Sequence, residues 1–294
     1  MDQSFDQLEK FVRLLDQKIT TDGVKFSPIN EVGFFRASAT QLKGPNYYDP
    51  GIVIVGQGEK RCFVGDKTFT YGNGNVLVLF MPMPMEVEII DATPEKPFLA
   101  AGIRLEMGRL ADVLLRIERA EGAGTKPVST DPTGIFSTPL NDHLLNPAIR
   151  LLEAIDNPRD AAVLGDMIID EIYYRILCDE RGGDLRTFLQ QRGQIQRISK
   201  TVDFIHQNID KPVSVSDLAD MVHMSRTTYY ENFREVMHVS PLQYAKSVKL
   251  YRAHSLLLEG QNASEAGYAV GYNSPAQFSR EYKRHFGYSP SATA

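Results

Sequence analysis

The chain has 294 residues, of which 43% are hydrophobic and 23% are charged. This length predicts two domains, and the composition excludes disordered, collagen-like and coiled-coil proteins. Two cysteines are too few for a disulfide framework or a four-cysteine zinc site. The N-terminus predicts neither a signal peptide nor a transit peptide, and no run approaches the ~18 apolar residues of a membrane span. We therefore expect a cytoplasmic protein.

Charge is divided unevenly along the chain. Residues 186–294 hold 13 Lys and Arg against 9 Asp and Glu, which is a net charge of +4. The other residues hold the remaining 19 bases and 28 acids, which is a net charge of −9. This asymmetry predicts two separate tasks, and the overall charge of −5 therefore does not exclude nucleic acid as a partner of the basic end.

The first half of the chain predicts a helix followed by an antiparallel β-domain. Apolar residues recur at helical spacing within residues 1–20. Short apolar runs separated by glycine-rich turns then continue to Leu105, which is typical of an antiparallel sandwich or barrel. The predicted strands are residues 51–55, 61–64, 67–71, 76–81, 85–90 and 98–105.

Helices dominate the rest of the chain. We predict helices over residues 109–119, 139–154 and 160–178, a loop over 122–139, and helical structure everywhere beyond Leu185. The predicted domains are residues 1–185 and residues 190–294, and the boundary between them is either a linker or a helix.

An internal repeat lies in the second domain. Residues 225–241 and 274–290 both begin with Ser, carry an aromatic residue at the fifth and ninth places and a base at the tenth, and end with Ser-Pro. Similar segments precede them at 216–222 and 264–270. Each half is a short helix, a tight turn and a longer helix, which predicts two helix-turn-helix units at about 214–237 and 263–286.

The longer helix of each unit has one apolar face and one polar face. Tyr229, Phe233 and Val236 share one side of the first helix, and Phe278 and Tyr282 share one side of the second. A single such helix is more simply a solvated bundle helix, but the duplication favours DNA recognition helices. The predicted DNA contacts are Arg226, Thr227, Tyr230, Glu231, Arg234, Ala276, Gln277, Ser279, Arg280, Lys283 and Arg284.

The two units are joined by residues 241–258. If this segment is one continuous helix, its 18 residues span ~27 Å. Two units on such a connector could approach successive major grooves, ~34 Å apart, on one side of a duplex.

Motifs in this region are specific enough to indicate a family. They are Ser240-Pro241, Gln243-Tyr244, Lys249-Leu250, Ala253, Leu256-Leu257, Val270-Gly271-Tyr272-Asn273-Ser274, Gln277-Phe278-Ser279-Arg280-Glu281-Tyr282-Lys283-Arg284 and Gly287-Tyr288-Ser289-Pro290. Because of these motifs, residues 195–290 resemble the DNA-binding domain of AraC/XylS-type transcription regulators. The resemblance implies that double-stranded DNA is the partner.

Three positions depart from the family pattern. Lys249 stands where arginine is usual, and Ala266-Gly267 replaces Ile-Ala, which predicts a looser second unit. Glu231 occupies an outward position that often reads bases in relatives. A glutamate there repels the DNA phosphates, but its carboxylate can accept a hydrogen bond from cytosine N4. Glu231 therefore either reads a base or is merely tolerated at this position.

The first domain resembles the AraC-type N-terminal domain, which has a cupin-like barrel. The matching motifs are Tyr48-Asp49-Pro50-Gly51, Val55-Gly56-Gln57-Gly58-Glu59-Lys60, Val64-Gly65-Asp66, Tyr71-Gly72, Val76-Leu77-Val78, Pro84, Pro158-Arg159-Asp160 and Glu171-Ile172-Tyr173-Tyr174-Arg175-Ile176-Leu177. The resemblance implies an α+β chain, with an antiparallel barrel and trailing helices before the all-α DNA-binding domain. In that family, the first domain binds an effector or mediates self-association.

Metal chemistry is not predicted for the barrel. Metal-binding cupins use two or three histidines, and residues 1–142 contain none. We therefore expect no metal, no cofactor and no enzyme activity. The predicted effector-site residues are Arg36, Tyr48, Cys62, Met83 and Arg104.

Each of these effector-site assignments has an alternative. Cys62 is either a thiol sensor or a small buried hydrophobic residue. Met83, within Met81-Pro82-Met83-Pro84-Met85, either lines a pocket or packs in the core. Arg36 and Arg104 either meet an anion inside the barrel or lie on the surface.

The sequence therefore predicts a sequence-specific transcription regulator, and an activator is the expected type. A small-molecule effector is expected in the barrel, and a homodimer and contact with RNA polymerase are further expected interactions. The helices over 139–178 either hold the dimer or pack on the barrel. The alternatives are a constitutive, structural DNA-binding protein and a small-molecule cupin enzyme.

Overall fold

Two antiparallel sheets, eleven α-helices and two short 3-10 helices make up the described part of the computed structural model, which covers residues 3–121, 134–190 and 193–293. The strands are β1 (Gly23–Phe26), β2 (Val32–Ala37), β3 (Gln41–Tyr48), β4 (Gly51–Gln57), β5 (Glu59–Val64), β6 (Lys67–Gly72), β7 (Asn75–Leu79), β8 (Met83–Ile90), β9 (Phe98–Arg104) and β10 (Ile135–Pro139). The helices are α1 (Gln3–Lys18), α2 (Met107–Glu121), α3 (Asp142–Ala154), α4 (Pro158–Leu177), α5 (Gly183–Leu189), α6 (Gly193–Gln207), α7 (Val215–Met221), α8 (Arg226–Met237), α9 (Pro241–Leu258), α10 (Ala263–Ala269) and α11 (Pro275–Phe286).

The two sheets form an open sandwich. One sheet has the strand order β1-β2-β9-β4-β7-β10, and the other has the order β3-β8-β5-β6. The predicted antiparallel β-domain is confirmed, but the sheets do not close into the expected barrel. One reason is visible in β3, where Pro45 lacks an N–H and the register slips between Gln41 and Gly44, so this strand pairs only with β8 among the described residues.

Residues alternate along β8 between the sandwich core and the other face of the sheet. Met83, Met85, Val87 and Ile89 are buried between the sheets, whereas Glu86 is exposed on the other face. This alternation is the period of a strand with one buried face. The methionines of this region therefore pack in the core, which was the simpler of the two sequence interpretations.

The six strands predicted between residues 51 and 105 are confirmed as β4 to β9. Strands β1 to β3 were not predicted. Strand β10 was also missed, because it lies inside the predicted loop over 122–139, where it pairs with β7. Residues 122–133 of that predicted loop lie outside the described residues.

Helices α1, α3 and α4 follow from amphipathic sequence and side-chain caps. Helix α1 buries Phe11 and Leu15 against β4, where Gly56 leaves room: a Cβ there would lie 2.8 Å from Leu15 Cδ1. Asn141 and Asn157 cap α3 and α4 by accepting hydrogen bonds from backbone N–H groups of the first turn. Within the described ranges, no helix combines the length and apolar character that a bilayer span requires.

The C-terminal helices pack on the outer face of the four-stranded sheet. Tyr244 Oη of α9 donates a hydrogen bond to the Pro82 carbonyl oxygen, 3.0 Å away. Gly134 N donates to the carbonyl oxygen of Val236 in α8 over 3.1 Å. The first helix-turn-helix unit therefore shares one hydrophobic cluster with the sandwich, whereas the second unit has its own.

Candidate nucleic-acid interface and effector cavity

Helices α7 and α8 form the first predicted helix-turn-helix unit. Ser225 caps α8 by accepting a hydrogen bond from Thr228 N over 3.1 Å. Tyr229, Phe233 and Val236 are fully buried, and Tyr229 Oη donates to Thr201 Oγ1 of α6 over 3.1 Å. This packing fixes which side of α8 faces outward. The predicted contacts on that side are all exposed: Arg226, Thr227, Tyr230, Glu231 and Arg234.

Helices α10 and α11 repeat this arrangement. Ser274 caps α11 by accepting from Gln277 N, and Phe278 and Tyr282 are fully buried. Gly287 ends the helix at a φ of +86°, a conformation that favours glycine. The predicted contacts of this helix are exposed at Ala276, Gln277, Arg280, Lys283 and Arg284 and half-buried at Ser279.

The second unit is closely packed, contrary to the looseness that Ala266-Gly267 predicted. A Cβ on Gly267 would lie 3.0 Å from two atoms of the Phe278 ring. The missing side chain therefore allows α10 to approach α11 directly.

Glu281 collects three hydrogen bonds on α11. Lys246 Nζ lies 2.7 Å from Glu281 Oε2, Tyr272 Oη donates to that oxygen over 3.0 Å, and Gln277 Nε2 donates to Oε1 over 3.3 Å. Partial burial acts to raise the pKa of Glu281, but these three donors hold that pKa below its ordinary value. The carboxylate therefore fixes α11 to α9 and orients Gln277.

Helix α9 is the predicted continuous connector. Its 18 residues run from Pro241 to Leu258 without a break, a length of ~27 Å. Ser240 and Gln243 form a capping box at its start. The first half of α9 contributes Tyr244, Ala245 and Val248 to the cluster of the first unit. Its second half contributes Leu250, Ala253, Leu256 and Leu257 to the cluster of the second unit, so this one helix packs against both units.

One predicted DNA contact, Arg234, is held by the first domain. Arg234 Nη2 lies 2.7 Å from Asp66 Oδ2, in the turn between β5 and β6, and both side chains are more than half exposed. The turn lies close to the end of α8, because a Cβ on Gly65 would lie only 1.7 Å from the His238 carbonyl oxygen. A carboxylate thus occupies the position at Arg234 that was predicted for DNA.

A cavity of about 420 Å³ lies between the two sheets. Of the five predicted effector residues, the structure brings Tyr48 and Arg104 into its lining. Sequence reasoning missed Lys60, which is 6% exposed, and Tyr71, and both also line the cavity. The missed signal was the alternation along β5: Lys60 lies two residues before Cys62 and four before Val64, and these three side chains share the buried face of the strand.

The other three predicted effector residues lie outside this lining. Arg36 forms ion pairs with Asp16 and Asp22. Met83 is buried beside Gly134. Burial raises the pKa of the Cys62 thiol, which donates a hydrogen bond to Tyr71 Oη over 3.4 Å. Cys62 is therefore the small buried residue rather than an activated thiolate.

Comparison with known proteins gives matches over both halves. A family model described as AraC-type transcriptional regulator N-terminus matches residues 28–184, and a helix-turn-helix domain model matches residues 218–294. The lactose operon transcription activator of Staphylococcus xylosus is 34% identical over 95 residues, which are 32% of this chain and 34% of that protein. The match thus spans about a third of that relative's length.

Longer matches have lower identity. The virulence regulon transcriptional activator VirF of Yersinia enterocolitica is 27% identical over 187 residues, covering 62% of this chain and 65% of VirF. A ToxT structure from Vibrio cholerae with an unsaturated fatty acid bound aligns with a TM-score of 0.61 at 13% identity, covering 89% of this chain and 93% of ToxT. This likeness is one of fold. Since the N-terminal family model spans more than half of the residues, the chain belongs to the AraC-type transcriptional regulators.

Proposed function

We propose that this chain is a sequence-specific DNA-binding transcription regulator of the cytoplasm, which acts by binding a duplex and not by catalysis. The observation that carries the proposal is the pair of capped recognition helices, α8 and α11. Each helix exposes basic and other polar side chains, and the two helices are joined by the unbroken helix α9. A recognition helix needs this combination of a buried face and a polar face at the major groove.

The residues of the two outer faces take two different roles in this proposal. Thr227, Tyr230 and Arg226 on α8, with Gln277, Ser279 and Arg280 on α11, read base edges. Arg234, Lys283 and Arg284 bind phosphates, which positions the protein without specifying sequence. All of these side chains are exposed except Ser279, which is half-buried, and this exposure supports the assignment.

Selection of bound duplexes from genomic fragments, with the full chain, tests the proposal. We expect enrichment of a defined sequence and an affinity that falls steeply with salt, because bound Lys and Arg side chains displace counterions from the phosphates. Equal recovery of all sequences would support the alternative of a structural DNA-binding protein. An affinity that is independent of salt would contradict the interface.

We also propose that a small molecule bound between the sheets controls DNA binding. The support is the cavity of about 420 Å³, which falls in the size range of ligand sites. The ToxT structures of the same fold include one with a bound unsaturated fatty acid. A ligand acts here only if it favours one of two arrangements of the chain.

Self-association is proposed through α4. Val163, Leu164, Met167 and Tyr174 are large side chains that are 41–66% exposed along this helix. Such a stripe is typical of a surface that another chain covers. Sedimentation of the full chain should give a dimer, and Met167→Glu should give a monomer.

In vitro transcription with RNA polymerase would then show whether the regulator is an activator.

A further inference from the structure

Lys60 is a buried cation that lacks an anionic partner among the described residues. Its ammonium donates a hydrogen bond to Tyr48 Oη and lies 5.0 Å and 5.9 Å from the ring centroids of Phe35 and Phe98. No carboxylate in the described part of the chain forms an ion pair with it. An unpaired charge in the interior is costly, and aromatic rings offset only part of that cost.

The cavity next to Lys60 is mainly apolar. Its walls come from both sheets and include Phe34, Phe35, Ile52, Val53, Phe98 and Ile103. At the side of strand β1, Val24 and Phe26 also line it, although these two side chains are 62% and 76% exposed. Strand β1 and strand β3 are edge strands of different sheets, so the cavity lies where the sandwich is open.

We propose that this cavity binds an amphipathic monocarboxylic acid, with its carboxylate on Lys60 and Tyr48 and its apolar body directed toward β1. The proposal rests on the proposed effector control and names the chemical class of the effector. The ligand would supply the missing negative charge, and its apolar part would cover side chains that are now exposed. A charge-assisted hydrogen bond is stronger than a neutral one.

The surroundings favour one carboxylate over a larger anion. Lys60 is the one buried base among the described lining residues, and Tyr48 is a neutral donor. Arg104 is exposed, and the acids Glu31 and Asp49 also belong to the lining. A phosphate or a dicarboxylate would carry more charge than one lysine neutralises, and those two acids would repel it.

The test compares dodecanoate with dodecan-1-ol, which has the same chain and no charge. Binding to the full chain is measured by calorimetry and by the rise in unfolding temperature, since a ligand that binds only the folded state stabilises it. We expect the acid to bind about 10- to 100-fold more tightly than the alcohol, from a hydrogen bond to a charged group. Lys60→Met should reduce the acid to the affinity of the alcohol. Lys43→Met, which removes an exposed lysine of β3 paired with Glu86, should leave both affinities unchanged.

The proposal is overturned if dodecanoate, oleate and 4-phenylbutyrate all bind no more tightly than their alcohols. It is also overturned if folded Lys60→Met keeps the preference for the acid, because Lys60 would then be a structural cation in its aromatic surroundings. If Lys60→Met does not fold, the wild-type comparison of acid with alcohol still decides. DNA binding is measured separately, so a chain that binds the acid but no duplex would contradict only the proposed function.

Discussion

Arg280 and Arg252 are both exposed arginines of the C-terminal half, but their positions differ. Arg280 lies on the outer face of α11, whereas Arg252 lies on the connector α9, 3.8 Å from Glu259. If Arg280 donates hydrogen bonds to a guanine, Arg280→Ala should cost ~1–3 kcal/mol of binding free energy and relax the preference at one base pair. Arg252→Ala is the matched control and should have little effect. Affinities for the selected duplex and its single-base variants measure both, and an equal loss on every sequence would assign Arg280 to phosphate instead.

Asp66 is expected to compete with DNA for Arg234. Asp66→Asn removes that competition, so DNA affinity should rise. The gain should be small, up to ~1 kcal/mol, because exposed ion pairs contribute little. Fluorescence anisotropy at fixed salt measures it. Asp91→Asn, in the turn after β8, changes the net charge equally. If both variants gain the same affinity, overall charge is the cause and the contact with Arg234 is not.

Single residues also set the limit of what sequence reasoning could find. The outward positions of α8 and α11 were predictable, because helical period and N-caps fix which side of a helix is buried. The inward position of Lys60 could have been predicted from its alternation with Cys62. Its aromatic surroundings could not, since its relation to Phe35 and Phe98 depends on three strands that meet only in the folded sandwich. Arg36 was misleading for the same reason: its partner Asp16 comes from α1.

At the scale of elements, local patterns predicted β4 to β9 because apolar runs alternate with tight glycine turns. Strand β1 carries no such signal, since all four of its residues are exposed. Strand β3 contains Gly44 and Pro45, which normally argue against a strand. Strand β10 exists through its long-range pairing with β7. Edge strands of this kind depend on a neighbour that is distant in sequence.

The continuity of α9 predicts a fixed spacing between the two half-sites on DNA. Inserting about five base pairs between them should turn the second half-site to the opposite face and remove its contribution. Inserting about ten should not restore it, because a helix of 18 residues does not stretch. Competition binding with the three duplexes checks this. Recovery at ten base pairs would indicate a flexible connector.

Strand β3 connects the cavity to the DNA-binding helices. Tyr48 and the adjacent Tyr47 both line the cavity, and Tyr47 Oη lies 3.0 Å from His206 Nε2 of α6. The same nitrogen lies 2.8 Å from Tyr244 Oη of α9. Movement of Tyr48 by a ligand would therefore reach α6 and α9 through one neighbouring residue.

Stability should fall at acidic pH through His206. Burial lowers the pKa of this imidazole below its ordinary 6.5, although Asp203 and Asp49 act in the opposite direction. Because the folded pKa is lower than the unfolded one, the unfolded state binds more protons, and stability is lost as pH falls below ~6.5. Chemical unfolding at pH ~7.5 and ~5.5 should show a larger loss for the wild type than for His206→Asn. Equal losses would place the titration elsewhere.

For the whole molecule, the charge division matches the proposed tasks. The acidic first domain, with net charge −9 outside residues 186–294, is disfavoured near phosphates, so the basic second domain should face the duplex. In the described arrangement, the first domain holds α8 and α9 by the hydrogen bonds at Gly134 and Pro82 and by the Asp66–Arg234 ion pair. We expect an effector to act by favouring the release of these contacts.

In the proposed complex, α8 and α11 read one duplex together. Hydroxyl-radical footprinting of the full chain on a selected duplex tests this arrangement. We predict two protected patches on the same face, about one helical turn or ~34 Å apart. Arg226→Ala should weaken one patch, and Arg280→Ala should weaken the other. A single patch, or two patches that both disappear equally with either substitution, would contradict the account.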